Sequence, residues 1–531
     1  MRRDMVPGVR ATPETPAGVR ASAGARNGVE TVSGGRRGTQ ILWRQLLRLQ
    51  PTSALTLQAQ LRAQLIVAIG DGSLPLQHPL PSSRALADQL GIARNTVVIV
   101  YQQLAEDGYL IARRRQGYYP NPAVLAQRPR TVAAQAAPVT NLDWSARLKL
   151  RPSLQRNISK EPDWEQYEFP FIYGQLDRSL FPAAEWRTSC QQVLSASDAL
   201  DWVQDRFTRD DPSLLEQIRD KVLPLRGIWA SADEILVTIG AQHALYLLAD
   251  LLADAETEVG IENPGYPDAR HIFARRTARL RSLPLDEHGL RVGTTLSGCH
   301  FIYATPSHQS PTTVTMPVER RVELLRQSEL DDFLIIEDDY ETEVSFSGLP
   351  NPALKSLDRG NRVIYVGSLS KSLAPGLRLG YVVAPAALIA ELRALRRLMI
   401  RHPNAFIERS VAQFLALGYY DAFNRRLAAA YRERATVLAQ AVADHMPSVQ
   451  HPPVTGGSSL WLKGPAWLDS RQLAQEARAQ RILIEPGDVH FAQDTPPLNY
   501  FRLGFACIAP DAIREGIRRL GAIMARQRTV R

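Results

Sequence analysis

The chain has 531 residues, 45% of them hydrophobic and 22% charged, with a formal net charge of +9. That length is too great for one hydrophobic core and calls for two or three domains. No apolar run approaches the roughly 18 residues of a membrane span. Cys190, Cys299 and Cys507 are widely separated, without CxxC or Cys/His metal spacing, so they read as buried free thiols of a cytosolic protein rather than a disulfide framework or a metal site.

Residues 1–40 are rich in Arg, Gly, Ala and Pro and poor in bulky apolar side chains, the composition of a disordered basic arm. An arm of this kind can touch DNA phosphates; a misassigned start codon explains it equally well. A transit peptide shares its arginine-rich, acid-poor character, but the bacterial-looking architecture downstream argues against one. Over residues 55–69, Leu57, Leu61, Leu65, Ala68 and Ile69 recur at helical spacing, and Gly70 and Gly72 supply the stop. In Leu80-Pro-Ser-Ser-Arg84, Pro81 with Ser82 or Ser83 starts a short helix that buries Leu86 and Leu90 and breaks at Gly91. A second helix begins near Arg94 and buries Val97, Tyr101 and Leu104. Two short helices around a glycine turn form a helix-turn-helix. Tyr109 to Tyr119 then reads as two strands around a basic turn containing Arg113, Arg114 and Arg115, a wing. Residues 41–120 are thus expected to form a winged helix-turn-helix (α+β) domain, its arginines clustered into a local nucleic-acid face.

Residues 121–164 are Pro-, Ala- and Gln-rich and read as a linker. From 165 to 531, apolar strand-like runs alternate with helical patterns. Glu234–Ile239, Glu258–Ile261, Cys299–Ala304, Phe333–Glu337 and Arg362–Val366 each end at a turn or polar cluster, which predicts an α/β domain with a mostly parallel sheet. The last hundred residues alternate less regularly and suggest a smaller subdomain.

Polar clusters fall just after these strands, where open α/β sheets place ligands. Free N–H groups at Gly240, Ala241 and Gln242 open a helix and can cradle an anion. Tyr266 offers a ring to stack on a flat cofactor. Asp338 can keep a pyridine nitrogen protonated, and the Tyr340 phenol can bond a ring oxygen. In Val366-Gly-Ser-Leu-Ser-Lys-Ser-Leu-Ala-Pro-Gly-Leu-Arg-Leu-Gly380, Lys371 supplies an amine for a Schiff base, while Ser368, Ser370 and Arg378 supply phosphate donors. Arg502 lies in an apolar strand and needs a partner, either a ligand carboxylate or a structural salt bridge.

Through Leu80-Pro-Ser-Ser-Arg84 and Arg94-Asn-Thr-Val97, residues 55–120 resemble the GntR family of winged-helix regulators. Residues 165–531 resemble fold-type I aminotransferases with a smaller C-terminal α/β subdomain, and the combination resembles the MocR-type branch of GntR regulators. The resemblance implies pyridoxal 5′-phosphate on Lys371, Asp338 at the pyridinium nitrogen, Tyr340 at the ring hydroxyl, Tyr266 stacked, and Arg378 with Ser368 and Ser370 on the phosphate. It further implies that Arg502 takes an effector carboxylate and that Ser83, Arg84, Arg94, Asn95, Thr96, Arg114 and Gly117 meet double-stranded DNA. It also implies a head-to-tail homodimer and a cytoplasmic, nucleoid-associated protein. Two segments depart from the family pattern: Thr313 stands where glycine is usual, a change expected to narrow the pocket, and Thr208 to Leu214 lacks the family's usual glycines.

The expected function is a pyridoxal-phosphate-dependent transcriptional regulator that senses an amino compound, or pyridoxal phosphate itself. The alternative is an active aminotransferase with an accessory DNA-binding domain. A winged-helix protein with a vestigial, cofactor-free sensor is a third reading.

Overall fold

The computed structural model describes residues 43–126, 142–195, 201–341, 345–346, 352–371 and 373–530. The expected basic arm and residues 127–141 of the expected linker lie outside the described residues. The chain divides into two compact units, Met1–Arg147 and Leu148–Arg531. No described helix is long and apolar enough to cross a membrane.

In the first unit, helix Leu57–Gly70 is capped by the Thr56 hydroxyl, which accepts from the Ala59 N–H at 3.2 Å. Its Leu61, Leu65 and Ile69 are buried, a stripe at i, i+4 spacing that faces the core. Helix Ser83–Leu90 is capped by Ser82 and ends at Gly91, whose φ of 70° is the left-handed value a tight helix-to-helix turn needs. Helix Arg94–Glu106 buries Val97, Val100, Tyr101 and Leu104. The Tyr101 hydroxyl donates to the Pro81 carbonyl at 3.0 Å and so ties the second helix to the entrance of the first. Strands Leu110–Arg113 and Gly117–Pro120 pair antiparallel. In the three-residue turn between them Arg115 takes φ 63°, and Gly117, which opens the second strand, takes φ 100°. Each fully buried leucine of this small core contributes roughly 1.5–3 kcal/mol.

The second unit is built on an eight-stranded sheet. In spatial order its strands are Ile235–Thr238, Gly380–Val383, Val363–Ser368, Leu334–Asp339, Phe301–Ala304, Val259–Asn263, Leu280–Asp286 and Gly289–Leu290. Gly380–Val383 runs antiparallel to both neighbours and Gly289–Leu290 closes a hairpin; the remaining pairings are parallel. Leu236, Tyr303, Ile336, Ile364 and Val366 enter one core, whereas Ile235, Val237, Ile302, Ile335 and Tyr365 enter cores on the opposite face. Alternate residues of each strand therefore face opposite helical layers, which is why the strands read as unbroken apolar runs.

The C-terminal part adds a three-stranded antiparallel sheet in the order Ser459–Lys463, Tyr500–Gly504, Glu485–Pro486. Beside it, Ile482–Leu483 pairs in parallel with Phe169–Pro170. That short pairing brings the first strand of the unit to the C-terminal sheet, and the main-chain bond from Gly504 to Phe171 extends it.

The boundary between units falls seventeen residues before the end of the expected 121–164 linker, so residues 148–164 belong with the second unit. The reason is hydrogen bonding rather than apolar packing. Arg156 Nη2 donates to the carbonyls of Phe491 and Gln493 at 3.1 and 2.9 Å, and Lys160 Nζ donates to the Tyr173 carbonyl at 2.7 Å. Bonds to main-chain carbonyls leave no periodic trace in a sequence. At the other end of the expected linker, Pro122–Ala126 forms a short helix whose Val124 packs on the first core. Of the three thiols expected to be buried, Cys299 is; Cys190 and Cys507 are only partly covered.

Candidate functional site

The candidate nucleic-acid face of the first unit is assembled from helix starts. Ser83 and Arg84 occupy the first turn of one helix, and Arg94, Asn95 and Thr96 the first turn of the next. Arg94 Nε donates to Ser83 Oγ at 3.4 Å, which joins the two turns. Arg84, Arg94 and Asn95 are exposed, and Thr96 is half-exposed. Arg114 sits exposed in the hairpin turn, and Gly117 opens the second strand. Arg113 lies over the Tyr119 ring at 4.3 Å, which stiffens the base of that turn. The set offers cations and amide donors to phosphates and base edges.

In the second unit a single cavity of about 970 Å³, open mouth included, is lined by Ala241, Gln242, Tyr266, Asp338, Tyr340, Ser368, Ser370, Lys371, Arg378 and Arg502. The first nine are predicted cofactor residues and the last is the predicted effector arginine. Gly240, the other predicted cofactor residue, adjoins them: a Cβ at this position, where φ is +85°, would come within 2.8 Å of the Arg378 guanidinium. Glycine is therefore what lets the arginine close on the start of helix Ala241–Leu252. Arg378 itself adopts a left-handed φ of 50°, a strained value for a side-chain-bearing residue. Its guanidinium reaches back toward the Ile239 carbonyl at 3.4 Å. Together with the unshared N–H groups of the helix start, it forms a cup for an anion.

Asp338 is the next-to-last residue of strand Leu334–Asp339, and burial pushes its carboxyl up to about 7. Its Oδ2 accepts from the Tyr303 hydroxyl at 2.7 Å, while Oδ1 is buried with no partner. A buried, half-satisfied carboxylate is costly, and a protonated ring nitrogen facing Oδ1 would satisfy it. Glu262 on the neighbouring strand is likewise raised to about 7 by burial, although Thr305 and Gln309 both donate to it. Lys371 lies over the Tyr173 ring at 4.2 Å, and loss of solvent brings its ammonium down to about 8. The Tyr266 hydroxyl and the Gln242 amide both donate to Asp268, fixing the ring and the helix start against each other.

Ser370 departs from expectation. Its hydroxyl accepts from the Leu379 N–H at 2.8 Å and donates to the Leu379 carbonyl at 3.0 Å. Its proton closes the loop around Lys371 and is not free for a phosphate, which leaves Ser368 and Arg378 as that loop's donors. Thr313 does not line the cavity; it takes φ 65°, the left-handed region, so the usual glycine there answers to backbone conformation rather than to pocket width.

Arg502 makes the structural salt bridge and still keeps an unpartnered nitrogen. Its Nε donates to Glu485 Oε2 at 2.8 Å, a structural ion pair. Its Cζ lies 4.2 Å from the Tyr173 ring centroid, and Nη2 is buried without a partner. One donor is thus left for a ligand oxygen. Sequence reading missed Tyr173, Tyr303 and Lys160. A phenol within the apolar strand Phe301–Ala304 needs a polar partner and was a usable signal for Tyr303; nothing in the sequence marked Lys160.

The donor set fits pyridoxal 5′-phosphate: an anion cup, a ring to stack, an unpartnered carboxylate oxygen and a lysine in one cavity. Residues 192–520 match the family model for aminotransferase class I and II, and residues 57–119 match that for bacterial regulatory proteins of the gntR family. The chain is 41% identical over 473 residues to the HTH-type transcriptional regulator TauR of Rhodobacter capsulatus, covering 89% of this chain and 97% of that one. It is 30% identical to the probable rhizopine catabolism regulatory protein MocR of Rhizobium meliloti, with 87% and 92% covered. Among solved structures, an alpha-aminoadipate aminotransferase of Thermus thermophilus matches 73% of this chain and 100% of its own at 26% identity, with a TM-score of 0.67.

Proposed function

The chain belongs to the MocR-like gntR regulators, in which a helix-turn-helix domain precedes an aminotransferase class I and II domain, and we propose that its second unit holds pyridoxal 5′-phosphate on Lys371 and answers to an amino acid. One observation carries this reading: Asp338 Oδ1 and Arg502 Nη2, both buried and unpartnered, belong to residues that line the same cavity as Lys371. Two such orphans in one cavity would cost several kcal/mol unless a ligand with a cationic ring atom and an acidic group completes them.

When bound, the cofactor supplies an aldehyde that bonds amines and a ring that draws electrons from them. Lys371, brought down to about 8 by loss of solvent, gives up its proton more readily than an ordinary lysine and is a competent nucleophile. Asp338 holds a proton at the ring nitrogen, and Tyr303 fixes the carboxylate for that task. Arg378, Ser368 and the N–H groups of Ala241 and Gln242 hold the phosphate. Arg502 holds the effector's carboxylate, with Glu485 keeping the guanidinium in plane. Entry of an amino acid gives Arg502 Nη2 the partner it lacks and changes the protonation of Lys371, and this change of charge is the signal that alters DNA binding by the first unit. The first unit meets double-stranded DNA through Ser83, Arg84, Arg94, Asn95 and Thr96, with Arg114 and Gly117 at the wing. We expect a cytoplasmic head-to-tail homodimer, as the family pattern implies.

The test is an absorbance spectrum of the purified protein with pyridoxal 5′-phosphate, before and after borohydride, paired with DNA affinity in the presence of single amino acids. A visible band that borohydride bleaches, together with a DNA affinity that moves with one amino acid, supports the reading. A protein that stays colourless with added cofactor overturns it. Sustained turnover with an amino acid and a keto acid at roughly 1 s⁻¹ or more would favour a working aminotransferase instead.

A further inference from the structure

Three cationic side chains surround one ring. Arg502 Cζ and Lys371 Nζ each lie 4.2 Å from the Tyr173 centroid, and Lys160 Nζ lies 5.9 Å from it. Lys160 and Lys371 also converge: their nitrogens are 3.1 and 3.2 Å from the point where a side chain on Gly174 would begin. Gly174 has φ +76°, so glycine both permits the turn and leaves the space between the two amines open. The nearby carboxylates do not balance this charge. Glu485 accepts from Arg502, and Glu341, whose Oε2 makes no hydrogen bond, shares a cavity wall with Lys371, so two carboxylates stand against three cations.

We propose that Lys160 is a second anion-binding residue of the effector site, so that the effector's acidic group is shared between Lys160 Nζ and Arg502 Nη2. The proposal rests on the reading of this cavity as the effector site. The ammonium of Lys160 donates to the Tyr173 carbonyl at 2.7 Å. A neutral carbonyl uses one of its three N–H groups and leaves two for an anion. Arg502 Nη2 is buried and unpartnered, and Lys160, Arg502 and Tyr173 all line the one cavity. An acidic group reaching both accepts from both, and one carrying a second negative charge gains most, because each cation adds a charge-assisted bond and Arg502 is buried where water screens it poorly. Amino acids with a doubly charged or two-part acidic end are therefore the favoured class over simple monocarboxylates.

Lys160 also lies in the stretch that continues, along the chain, from the DNA-binding unit. This stretch is fastened by Arg156 to the carbonyls of Phe491 and Gln493 and by Asn157 to Asp268. Asp268 is the carboxylate that holds Tyr266 and Gln242. An anion that binds Lys160 therefore acts on a segment one of whose anchors, Asp268, also holds the cofactor residues Tyr266 and Gln242.

The experiment uses the full chain loaded with pyridoxal 5′-phosphate and titrated calorimetrically with glutarate and with propionate. Neither has an amine, so neither can bond the aldehyde. The wild-type protein is expected to bind glutarate more tightly than propionate. Lys160→Met should weaken glutarate at least about tenfold, the loss expected for one charge-assisted hydrogen bond, and Lys160→Arg should restore most of it. All three proteins should keep a visible band that borohydride bleaches. Equal glutarate affinity in Lys160→Met and wild type overturns the role of Lys160 while leaving the cofactor reading intact. A wild-type protein that takes up no pyridoxal phosphate overturns the cavity reading and this proposal with it.

Discussion

The two units place their candidate sites in opposite environments. In the first, Arg84, Arg94, Asn95 and Arg114 are exposed and belong to elements set by local signals: a serine cap, a glycine turn and a hairpin. In the second, Asp338 and Arg502 are almost wholly buried, come from strands far apart in the chain, and carry unsatisfied atoms. A surface site is an array of charges that water already solvates, so losing one member weakens it by degrees. A buried site is a set of mutual obligations, and losing one member strands the rest. The first unit should therefore respond to substitution in steps and the second abruptly, each with little effect on the other's readout.

The largest expected effect is that of Lys371→Ala. The borohydride-sensitive absorbance should vanish, while DNA affinity without effector stays within about twofold, or roughly 0.4 kcal/mol. A large loss of DNA binding in this variant would show that the second unit supports the first and break the comparison. Next, Leu86→Ala removes a fully buried side chain of the first core and should cost that unit about 2–5 kcal/mol. A thermal melt followed by circular dichroism should show an early transition and loss of DNA binding, with the cofactor absorbance retained.

The buried carboxyls give a pH signature that the exposed face lacks. Asp338 and Glu262 have folded values raised to about 7 by burial, so their contribution to stability is complete below the ordinary carboxylate range and is lost as the pH rises through 7. Cofactor-free protein should lose about 1.4 kcal/mol per pH unit for each group between roughly pH 5 and 6.5. Asp338→Asn, which keeps an acceptor for Tyr303, should lower the slope by one group's share, about 1.4 kcal/mol per pH unit, in denaturant titrations at successive pH values. An unchanged slope would mean that Asp338 is ionised in the cofactor-free fold.

On the exposed face the effects are graded. Arg94→Ala should cost about 1–3 kcal/mol of DNA affinity if it reads a base, whereas Arg114→Ala should lower the salt slope by about one if it meets a phosphate. Fluorescence anisotropy at several salt concentrations separates the two. The smallest change expected is a gain: Thr313→Gly relieves a left-handed β-branched residue and should add about 1 kcal/mol to the second unit. A loss on thermal melting would mean that the Thr313 side chain contributes contacts worth more than the strain.

The helix-turn-helix, the wing and five of the eight strands of the large sheet were legible in the sequence because each rests on short-range rules: caps, glycine stops and apolar runs between turns. Strand ends shifted by one or two residues; Leu334–Asp339 runs past the expected end at Glu337 because Asp338 and Asp339 remain paired to the strand Val363–Ser368. The reading of residues 148–164 as linker failed because that segment is held by hydrogen bonds to carbonyls more than 300 residues away in sequence.

By itself, the sequence determined which chemistry the chain carries: a lysine, a strand-end aspartate, an anion-binding helix start and a basic winged helix, each written in residues close together. Only the tertiary structure decided which of those donors are still free. Ser370 spends its proton on Leu379, Arg502 gives Nε to Glu485 and keeps Nη2, and Lys160 arrives from a stretch with no motif of its own. The physical reason is that a side chain's identity is local, whereas the partner that satisfies it is fixed by which distant strands and segments the fold brings within about 3 Å.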